Sequence, residues 1–187
     1  RSTLWPYTTL FRSKVFTAFC FAIPIIMLLL SPSYGFSGDE WLQIKYGRDI
    51  WNYFITGDTQ ALDYTNLNQH YADQQYYGGL FDFITETIHH LLPGVAYIYI
   101  RHFFNASLGA LMMIYTGLLA KRISSKWSVA TLSLLFIFLS PRLFGESMNN
   151  PKDIPFAAGF IIGIYYLVAV LQTLPAVSIK YFWGMAL

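Results

Sequence analysis

The chain has 187 residues, 55% apolar and only 12% charged, with a mean hydropathy of +0.43 and a formal charge of +2. A soluble domain carries about 25% charged residues, so the deficit, spread over several long apolar runs, reads as an all-α polytopic membrane protein. The small net charge gives no ground for nucleic-acid binding, and the single cysteine, Cys20, excludes a disulfide framework within the chain.

The first thirteen residues stand apart. Thr8-Thr9-Leu10-Phe11-Arg12-Ser13 resembles the translation of a common sequencing adapter, and Thr3-Leu4-Trp5-Pro6-Tyr7 is close to the adapter sequence upstream of it. Residues 1–13 are therefore expected to be a non-native peptide. Without Arg1 and Arg12 the formal charge falls from +2 to 0. Residues 14–187 are expected to be the N-terminal part of a larger transmembrane domain, because the chain stops inside a new apolar run, Tyr181–Leu187.

A first span is predicted over residues 15–30, interrupted by Pro24 and ended by Ser31-Pro32-Ser33-Tyr34-Gly35. A polar, aromatic section follows to about Tyr97. Trp41, Ile44, Trp51 and Ile55 fall near helical spacing, and Leu80, Ile84, Ile88 and Leu91 do so again before Pro93-Gly94. Both stretches predict helices lying along the membrane, since Asp49, Asp82 and Glu86 would each cost about 2.5–3.5 kcal/mol at bilayer depth. Thr56–Gln75 between them reads as a loop. Further spans are predicted over 98–120, 127–144 and 154–171, with Pro155 in a first helical turn and a fifth span starting at 181.

Lys14, Lys121, Arg122, Lys126 and Lys180 fall on one side of this arrangement and all ten acidic residues on the other. By the positive-inside rule the N-terminus is cytoplasmic, and residues 36–97 and 142–153 share the outer face.

Two outer motifs carry candidate chemistry. Asp39-Glu40 reads as a general base in a partly desolvated pocket, or as an N-cap and first-turn charge for the following helix. Arg142-Leu143-Phe144-Gly145 through Asn149-Asn150-Pro151-Lys152-Asp153 offers two cations, a carboxylate and two amides. Arg142 and Lys152 suit a phosphate, whereas Pro151 and Asp153 also suit a plain helix start. Arg101 has two readings as well: a phosphate ligand, or a side chain snorkelling to the headgroups. His70, His89 and His90 form no recognisable metal set, and no P-loop, dinucleotide glycine pattern or serine elbow is present. Asn105-Ala106-Ser107 fits a glycosylation acceptor but falls inside a predicted span.

A span followed by Gly38-Asp39-Glu40 at the head of a long outer loop resembles the start of the GT-C membrane glycosyltransferases. Pro141-Arg142-Leu143-Phe144-Gly145 followed by Asn150-Pro151-Lys152-Asp153-Ile154-Pro155-Phe156 is similar to bacterial protein-mannosyltransferase-like enzymes of glycosyltransferase family 39. The resemblance covers nearly all of residues 14–187. It implies a GT-C helical bundle in the inner membrane that works on the periplasmic face. The implied reaction is inverting transfer from a polyprenyl-phosphate sugar donor to a lipid, glycan or protein hydroxyl. The first-loop acid of the family maps to Asp39 or Glu40, and its second-loop acid to Asp153. Lys152, Arg142 and Arg101 are the cations left for the donor phosphate. Some GT-C enzymes hold a divalent cation through such acids while protein-mannosyltransferase-like ones generally need none, so the metal stays open. The alternative is a non-catalytic membrane protein, either a transporter, which places charges at mid-span, or an assembly subunit, which needs no converging acids.

Overall fold

The structure is a computed structural model that describes residues 5–64, 73–175 and 179–186. Arg1–Leu4, His70 and most of the second half of the expected 56–75 loop lie outside the described residues. All regular structure among the described residues is helical. In chain order the α-helices are α1 (Trp5–Leu30), α2 (Glu40–Trp51), α3 (Leu80–Leu91), α4 (Tyr97–Ser124), α5 (Trp127–Phe138), α6 (Pro141–Asn149), α7 (Asp153–Thr173) and α8 (Ile179–Ala186). A short π-helical turn, Asn52–Thr56, extends α2 and ends at Gly57, whose φ of 78° favours glycine.

Three segments are long and apolar enough to cross a membrane: Phe11–Ser33, Tyr97–Ser124 and Asp153–Thr173. They match the predicted spans one, two and four, and α1 runs unbroken through Pro24 and back to Trp5. The predicted span 127–144 is not one helix. It breaks between α5 and α6 with a bend of 69°. Pro141 has no N–H to continue α5 and biases the residue before it towards extended backbone, which Ser140 adopts at φ −72°, ψ 113°. Residues 142–149, part of the segment 142–153 expected on the outer face, form the helix α6, which buries Ser147 and Met148. At the other end of the chain, α8 packs against α7 near the expected start of a fifth span.

Helix α4 is the axis of the bundle and touches α1, α3, α5, α6 and α7. Its inward residues Ala106, Gly109, Ala110 and Met113 are small or flexible, which lets neighbouring backbones come close. A Cβ on Gly109 would stand 2.5 Å from the Cβ of Ser147, so α6 can cross there only over a glycine. Phe16, Ile23 and Met27 of α1, Ala130 and Leu134 of α5, Met148 of α6, and Ile154 and Ala158 of α7 complete this core.

Helices α2 and α3 form a second layer at one end of the bundle, and neither is among the segments able to span. A Cβ on Gly47 would meet the Asp82 carbonyl oxygen at 2.9 Å, so the two helices cross in close contact. Helix α3 is amphipathic in an inverted sense. It buries Asp82, Thr85 and Glu86 while Leu80, Ile84 and Leu91 are 71%, 40% and 73% exposed. Apolar side chains turned outwards suit a helix resting on apolar surroundings, with its polar groups satisfied by the protein.

Candidate functional site

The two sequence motifs meet at the α2 end of the bundle. The first loop is tied to α6 by Asn149, whose Nδ2 donates to the Gly35 carbonyl at 2.8 Å. This brings Ser37, Gly38, Asp39 and Gln43 opposite Glu146, Asn150, Pro151, Lys152 and Asp153, and the nine residues line a cavity of about 270 Å³.

Asp39 occupies the N-cap position of α2 but makes no capping hydrogen bond through its side chain. The carboxylate turns to the cavity instead, 64% exposed, with Lys152 Nζ 3.8 Å from Oδ2. The same ammonium lies 4.1 Å from the centre of the Tyr77 ring, and Tyr46 Oη holds the loop by donating to the Tyr77 carbonyl at 3.1 Å. Lys152 is thus held between a carboxylate and an aromatic face, close to where the N-terminus of α7 begins.

Asn150 organises the far wall. Its Oδ1 accepts the backbone N–H groups of Lys152 (3.3 Å) and Asp153 (3.0 Å), which caps α7. Its Nδ2 donates to Glu146 Oε2 at 2.6 Å and to Asp153 Oδ2 at 3.0 Å. With the cap supplied by Asn150, Asp153 remains exposed at the cavity. Three carboxylates, from Asp39, Glu146 and Asp153, and one ammonium, from Lys152, therefore line the same cavity.

The other predicted site residues lie elsewhere. Glu40 is buried completely behind the cavity. Its Oε2 accepts the Ser37 N–H at 3.3 Å and lies 3.2 Å from His102 Nε2, while Oε1 is 3.7 Å from Arg101 Nε. Consecutive residues at a helix start point about 100° apart, and here Asp39 faces the cavity while Glu40 is turned into the bundle. Arg101 neither lines the cavity nor snorkels to a surface: its side chain is fully buried. Its Nη2 pairs with Asp82 Oδ1 at 2.8 Å, and Nη1 donates to Thr85 Oγ1 (3.3 Å) and Tyr97 Oη (3.4 Å). A guanidinium so engaged by carboxylates is not available to a phosphate. Arg142 is exposed on the first turn of α6, one turn before Glu146, and does not line the cavity.

The Glu40–Arg101–Asp82 group, with His102 against Glu40, joins α2, α3 and α4. Buried charges are tolerated only when paired, and here the pairing fixes the N-terminus of α2, hence Asp39. Burial pushes the Asp82 carboxyl up to about 6; Glu40 adds to that rise and Arg101 opposes it. Asn105 is buried too, and its Nδ2 donates to the Glu146 carbonyl at 3.1 Å, so the glycosylation-like triplet has a structural place.

Glu146 and Gln43 are cavity residues that the sequence reading missed. Glu146 sits four residues before Asn150, a helical spacing that became readable only once α6 was known to be a helix. Gln43 is buried and donates through Nε2 to Gln74 Oε1 at 3.1 Å, across a loop that no periodicity connects. His89 stacks on Tyr97 and His90 on Trp51, and among the described residues no group of three or more His, Cys, Asp or Glu side chains is placed to hold a metal ion together. Comparison with family models, with curated proteins and with solved structures finds no match to this chain.

Proposed function

We propose that the intact protein transfers a sugar from a polyprenyl-phosphate donor to an acceptor hydroxyl at the outer membrane surface, with Asp39 as the base. The single observation that carries this reading is the convergence of Asp39, Asp153 and Lys152, from opposite ends of the chain, on one cavity beside the spans. The resemblance of the two motifs to GT-C enzymes supplies the reaction class.

The chemistry follows from the groups present. The acceptor hydroxyl gives its proton to the Asp39 carboxylate as its oxygen bonds to the anomeric carbon of the sugar. The bond from that carbon to the lipid-phosphate oxygen breaks on the opposite face, and its electron pair stays with the phosphate. Lys152 leaves Asp39 for this phosphate as negative charge develops there, which at once frees the base and stabilises the leaving group. Asp153, held by Asn150, accepts a hydrogen bond from a second hydroxyl and orients the reacting ring. Glu40 acts through the backbone: it holds Ser37 and thereby the turn that presents Asp39.

The test uses the full-length protein, a polyprenyl-phosphate sugar and an acceptor, with Asp39→Asn, Glu40→Gln and Asp153→Asn at matched membrane expression. Loss of a general base costs about 10²–10⁴-fold in rate, so that loss is expected for Asp39→Asn. Wild-type rates in both cavity variants would leave the acids as helix-end charges.

A further inference from the structure

We propose that the cavity between α2 and α6 takes a hydroxyl-rich sugar ring that bears no acidic substituent, and that Glu146 enforces the exclusion. The proposal rests on the sugar-transfer reading and narrows its substrate class.

The wall is rich in acceptors. Asp39, Glu146 and Asp153 present carboxylate oxygens, which accept hydrogen bonds from sugar hydroxyls and cannot donate to an anion when ionised. Among the described lining residues the only cation is Lys152, and in the transfer reaction the donor's own phosphate claims it. No second cation is left for a carboxylate on the sugar. Arg142 stands outside the cavity, and Arg101 is buried with Asp82 and Glu40. The Asn150 amide offers no relief either, because its Nδ2 already donates to Glu146 and Asp153. A sugar acid would therefore face like charges in a small cavity, where such juxtaposition is disfavoured.

Glu146 is the residue to which this exclusion can be assigned separately. Asp39 and Asp153 act on the reacting groups, whereas Glu146 contributes charge to the wall and a hydrogen bond to Asn150. Glu146→Gln removes the charge but keeps an amide oxygen for Asn150, so the cap on α7 is retained.

The experiment measures retention of radiolabelled polyprenyl-phosphate sugars by the purified full-length protein in lipid nanodiscs. Mannose, glucose and galactose donors are each compared with the matching uronate, and with polyprenyl phosphate alone. At least one neutral sugar is expected to be held about tenfold or more tightly than its uronate, since the uronate carboxylate would meet carboxylates with no cation to pair with. Glu146→Gln should narrow that ratio, and Glu146→Lys should narrow it further or invert it, with the neutral donor still bound by Glu146→Gln. Equal retention of neutral and acidic donors by the wild type overturns the proposal and leaves the transfer reading standing. An unchanged ratio in both Glu146 variants overturns the role of Glu146. Retention of no sugar donor above polyprenyl phosphate alone overturns the transfer reading, and this inference with it.

Discussion

Lys152 Nζ lies 3.8 Å from Asp39 Oδ2, so the proposed base and the cation proposed for the leaving group are paired with each other at the cavity. The Tyr77 ring, 4.1 Å from the same nitrogen, gives the ammonium a second resting contact. The pair is partly exposed, so its contribution to stability is small. In the proposed reaction a donor phosphate competes with Asp39 for Lys152, and binding of the donor releases the base.

Lys152→Met is therefore expected to lower turnover by about 10²-fold, as for loss of one charge-stabilising group, while the fold persists. Lys152→Arg should recover only part of this, because a guanidinium is wider and bonds in a fixed plane. Steady-state transfer rates and circular dichroism of the two variants check the prediction.

The buried Asp82 carboxyl gives a pH dependence whose sign can be stated. Its folded pKa of about 6 lies above the ordinary value of 3.8. The folded state thus holds the proton more tightly, and stability from this group is lost as pH rises from about 4 through 6. At about 1.4 kcal/mol per unit the loss is on the order of 3 kcal/mol. Thermal unfolding in detergent micelles at pH 4.5 and 7.5 should show a smaller pH difference for Asp82→Asn than for the wild type. Removing the cation instead, as Arg101→Leu, strands Glu40 and ionised Asp82 and should destabilise by about 3–5 kcal/mol at neutral pH.

The orientation expected from the basic loops makes a separate prediction. Ser125 ends α4 in a left-handed conformation at φ 61° and is exposed, close in sequence to Lys121, Arg122 and Lys126. In cells, Ser125→Cys should react with a membrane-impermeant maleimide only after the cytoplasmic side is opened. Gly38→Cys, at the cavity, should react from outside. Reversed labelling overturns the topology.

Much of the bundle was readable because apolar runs long enough to span have few other uses: α1, α4 and α7 fall where hydropathy puts them. The two helices of the first loop were readable from their apolar spacing, although their buried faces were not. The pattern of α3 shows Leu80, Ile84 and Leu91 on one side, but only tertiary contact reveals that this side points out and that Asp82 and Glu86 point in. The break at Ser140 was misread because hydropathy continues across it while the missing N–H of Pro141 does not. For the site, both motifs were legible as strings, and the structure brings Asp39, Lys152 and Asp153 to one cavity. The separation of Asp39 from Glu40 was not legible, since it depends on Arg101 and His102 arriving from α4 to bury one of two adjacent acids. The exclusion of Arg101 and Arg142 from the cavity was hidden for the same reason.

The most direct measurement compares Asp39→Asn with Glu40→Gln in the full-length protein, with donor binding and transfer followed separately. The account predicts that Asp39→Asn binds donor but transfers about 10²–10⁴-fold more slowly. Glu40→Gln, which keeps an oxygen for the Ser37 N–H, should bind donor and transfer faster than Asp39→Asn. A wild-type transfer rate in Asp39→Asn would contradict the assignment of Asp39 as the base.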